Sequence, residues 1–294
     1  GFVEQPKKAE DKTLRQLIDD FIQLREPTLS PVTVRTYRGY QKHRLQSLLD
    51  LKAKDITADK CQLAINADVP NFSPKSIKSA WGFIDTVLKD RIGKSFSVRL
   101  PQLVPHDKAF LQPEQIPVFV DAMRGNRYEI AALLALHGLR VSEVMDVRWE
   151  DIKADCILVH GSAVPDVDGV LTHKQTNKNS TSHREVPIMI PRLLEVVAAA
   201  DKSTEYICNW KGSGAIYNGI NRVCRKAGLP EVGIHGLRHS WTSLCQYSGV
   251  SAKQCQVWGG WSNQQTMMAI YAHLADSRTA EDIDKMRKHF VTHE

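Results

Sequence analysis

Residues 234–274 read IHGLRHSWTSLCQYSGVSAKQCQVWGGWSNQQTMMAIYAHL. Apolar residues recur at helical spacing early in this stretch and Gly249 follows as a stop signal, so a helix and then a turn are predicted. Ser251 can cap a short second helix, which the pair Gly259-Gly260 ends. The stretch therefore predicts three helices, separated first by a turn and then by a Gly-Gly break.

Three side chains of this stretch suit the attack of a tyrosine on a phosphodiester. Arg238 offers a rigid fork of donors to phosphate oxygens, and His235, three residues earlier, can move protons near neutral pH. Tyr271, in the last predicted helix, is the candidate nucleophile. Because a free phenol has a pKa of about 10, the site must supply roughly 4 kcal/mol of activation at neutral pH. Nearby fixed cations are the obvious source.

The order of these residues resembles the pattern of the tyrosine recombinase (phage integrase) family. That pattern runs His-x-x-Arg-His-[Ser/Thr], Gly-[His/Trp]-Ser and Tyr-x-His, and here it falls at 235–240, 260–262 and 271–273. The resemblance implies a mostly α fold with a small antiparallel β-sheet in the catalytic domain, preceded by a helical core-binding domain. It also implies that DNA strands are exchanged through a 3′-phosphotyrosyl intermediate, without ATP, a metal or another cofactor.

The resemblance assigns roles to residues outside the His-x-x-Arg helix. Arg140, in the Gly-Leu-Arg-Val-Ser-Glu of residues 138–143, stands where the family has its first catalytic arginine, and it would clamp the phosphate together with Arg238. Glu143, one helical turn on, can hold a neighbouring backbone group or arginine. Trp261 stands at the His/Trp position, where its indole N–H can donate to a phosphate oxygen.

The family's catalytic lysine lies in a β-turn shortly before an Arg-x-Val-Pro. In this chain residues 156–160 and 186–190 predict two short strands that bracket a polar stretch, which indicates a small antiparallel sheet. The sequence R-E-V-P at 184–187 supplies the anchor. Lys178 is the better match to the catalytic lysine, which would protonate the leaving 5′-oxygen, and Lys174 is the alternative.

A zinc site is the competing interpretation of the two histidines. His235 and His239 lie four residues apart on the predicted helix, a spacing that can bind zinc. A metalloprotease of this kind needs Glu directly after the first His, where this chain has Gly236. Arg238 lies between the two imidazoles, and its charge repels a cation. No metal site is therefore expected, and His239 is assigned a supporting role.

Length and composition indicate a globular protein of two domains. The chain has 294 residues, 42% of them apolar and 24% charged. No apolar run approaches the roughly 20 residues of a membrane span and no signal peptide opens the chain, so a cytoplasmic bacterial protein without membrane association is expected, bound to the nucleoid when active. Six cysteines without a Cys-x-x-Cys pair argue against a disulfide framework or zinc knuckle.

The net charge of +6 is concentrated in the first third of the chain. Residues 1–100 hold 18 Lys and Arg against 12 Asp and Glu, whereas residues 101–294 hold 21 of each. A basic segment beside a neutral one predicts that the N-terminal part binds a polyanion. Two predicted helices there, from 30 to about 51 and from 73 onward, present basic faces that suit the DNA backbone. The predicted DNA-binding residues are Arg35, Arg38, Lys42, Lys75 and Lys78.

Four parts are predicted along the chain. Residues 1–11 form a polar, disordered N-terminus, 12–98 the helical core-binding domain, 99–109 a linker and 110–294 the catalytic domain. The catalytic domain ends in an amphipathic tail helix at 280–290, which docks either within its own chain or on a neighbouring protomer. The start at Gly1 is consistent with the removal of a small N-terminal arm-binding domain.

These features favour an integrase of a phage or another mobile element. The expected partners are double-stranded DNA at attachment sites, other copies of the chain in a tetramer on that DNA, and accessory DNA-bending or directionality proteins. Free in solution, a monomer or weak oligomer is expected. Chromosome-dimer resolution is the alternative within the family. A type IB topoisomerase-like enzyme and a DNA-binding regulator are the alternatives outside it, and the regulator would not need six filled catalytic positions.

Overall fold

The computed structural model describes residues 9–103, 109–166, 168–174, 183–210, 212–263, 265 and 267. The predicted catalytic residues Lys178 and Tyr271 and the predicted tail helix lie outside these residues. The chain divides into two compact units, one up to residue 106 together with 165–170, the other at 107–164 and 171–294. No helix within the described ranges is long and apolar enough to traverse a lipid bilayer.

The first unit is mainly helical in its described part. Its α-helices are α1 (Leu14–Arg25), α2 (Pro31–His43), α3 (Gln46–Leu49), α4 (Ala58–Asp68) and α5 (Pro74–Ile92). Four of them begin after a Ser or Thr whose side chain accepts the backbone N–H three residues on, namely Thr13, Ser30, Thr57 and Ser73. Apolar side chains of α1, α4 and α5 fill most of a single core. The local capping signals therefore set where these helices begin.

The predicted continuous helix from 30 to about 51 is wrong, because it is broken at Arg44 and Leu45 before α3 begins. Helix α2 ends at His43, Arg44 is extended and Leu45 has a positive φ of 49°. Leu45 is only 1% exposed, and its N–H donates to the carboxylate of Asp68 at the end of α4 (3.0 Å). Burial of the leucine and this bond to a distant side chain replace the continuing helix, and neither is visible in the local pattern.

The second unit is built from short helices around a small amount of sheet. Its α-helices are α6 (Gln115–Ala122), α7 (Glu129–Ala135), α8 (Val141–Val144), α9 (Arg192–Ala199), α10 (Ser213–Lys226), α11 (Gly233–Tyr247) and α12 (Ala252–Gly259). Helix α7 is almost entirely buried and packs against α8, α9 and α11. It therefore forms the centre of the second unit, and the candidate site residues lie on elements around it.

The strands are β1 (Cys156–Val159), β2 (Ser162–Pro165), β3 (Leu171–Lys174) and β4 (Arg184–Pro187). Strands β1 and β4 pair antiparallel with Ile157 opposite Val186, and both of these side chains are buried. Strand β2 pairs with β3. The mostly α fold with small antiparallel sheet is confirmed. The predicted bounds of the second strand, 186–190, are wrong, because β4 begins at Arg184 and the backbone N–H groups of Met189 and Ile190 bond to a side chain instead of a strand.

The side chain of His137 accepts hydrogen bonds from that backbone. Its Nε2 accepts the N–H groups of Met189 (3.1 Å) and Ile190 (3.2 Å), while its Nδ1 lies 2.7 Å from the Leu133 carbonyl. A nitrogen that accepts two hydrogen bonds carries no proton, so the ring is neutral and Nδ1 is the donor. The ring is fully buried, and burial lowers the pKa of His137 from 6.5 to about 4.

Acidification between pH 7 and pH 5 is expected to destabilise the protein through His137. The folded pKa of about 4 lies below the ordinary 6.5. The unfolded chain therefore binds a proton first, and the contribution present above pH 6.5 is lost as pH falls toward 4. The loss at pH 5 is about 2 kcal/mol in the free energy of unfolding, measurable by urea denaturation.

His137→Gln is the comparison variant, because its amide oxygen can still accept a backbone N–H but does not titrate. The two proteins share every other titrating group, so the difference between their pH dependences isolates the imidazole. Parallel stability curves for the two proteins between pH 7 and pH 5 would contradict the assignment.

Candidate active site

A buried carboxylate, that of Glu143, joins three arginines in the second unit. Its side chain is 3% exposed. Oε1 accepts from Arg140 Nη1 (2.7 Å) and Arg184 Nη1 (3.1 Å), and Oε2 accepts from the Arg140 backbone N–H and from Arg184 Nη2 (both 2.8 Å). Arg238 Nη1 lies 3.9 Å from Oε2. Three guanidinium groups therefore surround one carboxylate.

The charges of this cluster do not cancel. Burial acts to raise the pKa of Glu143, but hydrogen bonds and charge from Arg184 and then Arg140 outweigh it and hold the pKa below its ordinary value. The carboxylate is therefore ionised at neutral pH. One negative charge against three positive charges leaves a positive surplus, and a site of this kind attracts an anion.

The position of Arg140 follows from the local sequence. Arg140 caps α8, and Glu143 at the third helical position accepts its backbone N–H, as in a capping box. Gly138, two residues earlier, has a φ of 83°, and a Cβ there would lie 2.6 Å from the Trp241 ring. Only glycine fits this turn. The turn also presents the Gly138 carbonyl to Arg238, which donates to it.

Arg238 is almost completely buried, whereas Arg140 is partly exposed. Arg238 projects from α11, is 1% exposed, and donates to the carbonyls of Gly138 and Gly259, the latter at 2.7 Å. The Trp261 ring centre lies 4.2 Å from its guanidinium carbon, a cation–π contact. Burial, and then the charge of Arg140, lower the pKa of Arg238 to about 9, so it stays protonated at neutral pH. Because Arg238 is closed off from solvent, a phosphate can contact it only if the surrounding chain moves.

The glycine pair at the end of α12, Gly259 and Gly260, lets the backbone approach these side chains closely. Gly260 has a φ of 61°, and a Cβ there would lie 2.8 Å from Arg184 Nη1. Its carbonyl accepts from Arg140. A Cβ at Gly259 would lie 2.6 Å from Trp261 Nε1. The predicted Gly-Gly break is therefore also the point at which α12 contacts the arginine cluster.

Four of the predicted site residues are brought together by these contacts: Arg140, Glu143, Arg238 and Trp261. His235 lies on α11 one turn before Arg238 and is exposed, and its ring centre is 4.7 Å from that of the buried His239. No group of three or more His, Cys, Asp or Glu side chains in the described ranges is arranged to hold a metal ion.

The remaining predicted residues lie elsewhere or are not described. Lys178 and Tyr271 fall outside the described residues, and the alternative Lys174 is a half-buried residue at the end of β3. The predicted DNA-binding residues are all exposed on α2 and α5 of the first unit, namely Arg35, Arg38, Lys42, Lys75 and Lys78. Arg38 pairs with Asp19 and with the side chain of Gln41.

Arg184 is the member of the cluster that was not predicted from the sequence. The motif R-E-V-P at 184–187 was used only to locate the candidate catalytic lysine. The Arg184 side chain is 4% exposed. A signal was available: alternate residues of a strand face the same way, so Arg184 shares a face with the apolar Val186. An arginine on the buried face of a strand needs a carboxylate partner, and the sequence does not say which one.

Comparison with known proteins agrees with this architecture. The phage integrase family model matches residues 109–278, more than half of the chain. The chain is also similar to a "tyrosine recombinase XerC-like" protein of Caldanaerobacter subterraneus subsp. tengcongensis, with 22% identity over 96% of this chain and 84% of the relative.

Two solved structures share the fold. The Tn1549 transposon integrase in complex with transposon right end DNA gives a TM-score of 0.72 at 17% identity, covering 95% of this chain and 99% of that one. The lambda integrase tetramer bound to a Holliday junction gives a TM-score of 0.64 at 17% identity, covering 90% of this chain and 83% of that one.

Proposed function

The chain belongs to the phage integrase family of tyrosine recombinases, and on this premise we propose that it cleaves and rejoins DNA strands at specific sites with Tyr271 as the nucleophile. The observation that carries the proposal is the cluster of three arginines around Glu143. Its surplus positive charge suits a phosphodiester, and more so the pentavalent transition state, which carries additional negative charge.

In the proposed reaction the Tyr271 hydroxyl attacks the scissile phosphorus. A bond forms between phosphorus and the phenolic oxygen while the bond to the 5′-oxygen breaks, which leaves a 3′-phosphotyrosyl link and a free 5′-hydroxyl. His235 helps to remove the phenolic proton, and Lys178 donates a proton to the departing 5′-oxygen. Because the link keeps the energy of the phosphodiester, a 5′-hydroxyl of a second strand can reverse the step, and neither ATP nor a metal is needed.

Arg140 is proposed to be the first arginine of the cluster to contact DNA. Its side chain is 35% exposed, while Glu143 and the Gly260 carbonyl hold its inner edge. A bidentate contact from its outer edge to the non-bridging oxygens stabilises the transition state. Arg238 joins this clamp once the chain that buries it moves on DNA binding. The buried indole N–H of Trp261 has no acceptor among the described residues, and a phosphate oxygen would provide one.

The first unit is proposed to bind the DNA backbone. Its exposed basic residues offer phosphate contacts on two helices, α2 and α5, and backbone contacts fix the position of a protein on a duplex without reading its sequence. These residues are Arg35, Arg38, Lys42, Lys75 and Lys78.

The chain is proposed to serve a mobile element and to act as a tetramer on DNA, with accessory DNA-bending or directionality proteins. The likeness to the Tn1549 transposon integrase supports the first point and the likeness to the lambda integrase tetramer the second. Chromosome-dimer resolution is the alternative within the family. Recombination between two plasmids that carry the joined ends of a mobile element and its target site would support the mobile-element function. Recombination only at a single chromosomal site would support chromosome-dimer resolution.

Covalent capture tests the reaction itself. The full chain is incubated with a library of duplexes that each carry a nick, so that the short piece released by cleavage diffuses away and the adduct persists. After denaturation, the bound DNA is sequenced and the peptide that carries the nucleotide is identified by mass spectrometry. We expect a 3′-phosphate linked to Tyr271. DNA binding without an adduct, or an adduct on another residue, would refute the mechanism.

A further inference from the structure

Arg184 has no part in the reaction proposed above, yet its guanidinium lies inside the same cluster. Nη1 and Nη2 donate to the two oxygens of Glu143 (3.1 and 2.8 Å), and Nε donates to the Trp258 carbonyl (2.6 Å). With 4% of the side chain exposed, these contacts are made within the protein interior. The fork of Arg184 is therefore engaged by its own chain rather than directed at a ligand.

The bonds of Arg184 close a circuit with those of Arg140. Arg140 also donates to Glu143, and its other contact is the carbonyl of Gly260, two residues after Trp258. Two guanidinium groups thus connect one carboxylate to one turn of the backbone. The two contacts of Arg140 use two of the five N–H groups of its guanidinium, which leaves donors on its exposed side.

Gly260 allows this arrangement. Its positive φ disfavours any residue with a Cβ, and a Cβ there would lie 2.9 Å from the central carbon of the Arg184 guanidinium. The guanidinium is therefore packed between the backbone of the turn and the carboxylate of Glu143. A bidentate fork in a packed slot has one orientation, and it fixes the carboxylate in turn.

We propose that Arg184 is a positioning residue, which holds the Glu143 carboxylate and the turn at 258–260 so that the outer edge of Arg140 stays directed at the DNA phosphate. The inference rests on the proposed function. Without Arg184, only Arg140 and Arg238 remain to neutralise Glu143. Arg140 is then drawn inward toward the carboxylate and away from the phosphate.

The test compares Arg184→Gln and Arg184→Lys with Arg192→Gln as the matched control. Arg192 also pairs with a buried carboxylate of the second unit, that of Glu129 (2.8 Å), but it does not contact Glu143. Single-turnover cleavage is measured on the nicked duplex found by covalent capture, with either the natural phosphate or a methylphosphonate at the scissile position. The methylphosphonate lacks the charged oxygen, so a defect in the arginine clamp matters less on it.

Arg184→Gln is expected to cleave the phosphate substrate up to about 100-fold more slowly and the methylphosphonate nearly as fast as the wild-type chain. Arg184→Lys is expected to fall between the two, since an ammonium keeps the charge but not the fork. Arg192→Gln is expected to cleave both at the wild-type rate. If Arg184→Gln does not fold, as judged by thermal unfolding, Arg184→Lys carries the comparison.

A double variant supplies the second measurement. If Arg184 acts through Arg140, then Arg140→Lys with Arg184→Gln is no slower than Arg140→Lys alone. Additive losses, or equal losses on the two substrates, would mean a structural role only and would overturn the inference. A wild-type chain that forms no adduct at all would instead refute the proposed function, so the two failures are distinguishable.

Discussion

A Tyr271→Phe chain is expected to form no covalent adduct with nicked DNA while it binds the same duplex as tightly as the wild-type chain. Phenylalanine keeps the aromatic ring but lacks the oxygen that attacks phosphorus, so transesterification cannot begin. The arginine cluster and the basic faces of the first unit are unchanged, and they supply the attraction to DNA. Adduct formation is measured on denaturing gels and binding by fluorescence anisotropy.

Tyr247→Phe is the matched control for this experiment. Tyr247 ends α11 in the same unit and is 55% exposed, so the identical substitution there is made at the surface. It is expected to form the adduct at the wild-type level. An adduct with the Tyr271→Phe chain would identify a different nucleophile, and loss of DNA binding in that chain would mean that the substitution had disturbed more than the chemistry.

The parts of the fold that the sequence predicted depend on local chemistry. Ser30 and Ser73, each followed by proline, start α2 and α5 where expected, because an N-cap hydroxyl and a proline at the first helical position act within one turn. The break at Leu45 was not predicted, since it depends on the carboxylate of Asp68 and on burial in the core. Contacts between residues distant in sequence leave no mark on periodicity.

The same division holds in the candidate site. Arg140, Glu143 and Arg238 were found because they stand in short motifs that resemble the family pattern. The partnership of Arg184 with Glu143 joins residues 41 positions apart, and sequence alone does not show which carboxylate an arginine meets. The burial of Arg238 was equally hidden. Its role in a motif suggests contact with DNA, whereas its 1% exposure makes that contact conditional on a shift of the surrounding chain.

Arg140→Lys is expected to lower the rate of DNA cleavage roughly 100- to 1000-fold, the usual effect of removing a preorganised donor from a developing charge. Lysine keeps the positive charge but has one nitrogen, which cannot reach Glu143, the Gly260 carbonyl and a phosphate together. The loss should appear in the single-turnover rate at saturating DNA. Thermal stability should change little, since the native side chain is partly exposed and Glu143 keeps its fork to Arg184.

Arg124→Lys is the appropriate comparison, because Arg124 also pairs with a carboxylate three residues away, that of Asp121 (2.8 Å), but on an exposed surface of the same unit. It is expected to cleave at the wild-type rate. If Arg140→Lys cleaves as fast as Arg124→Lys, the exposed edge of Arg140 does not contact the phosphate. Arg238 would then have to contact the phosphate first, after a movement of the chain that buries it, which is the reverse of the proposed order.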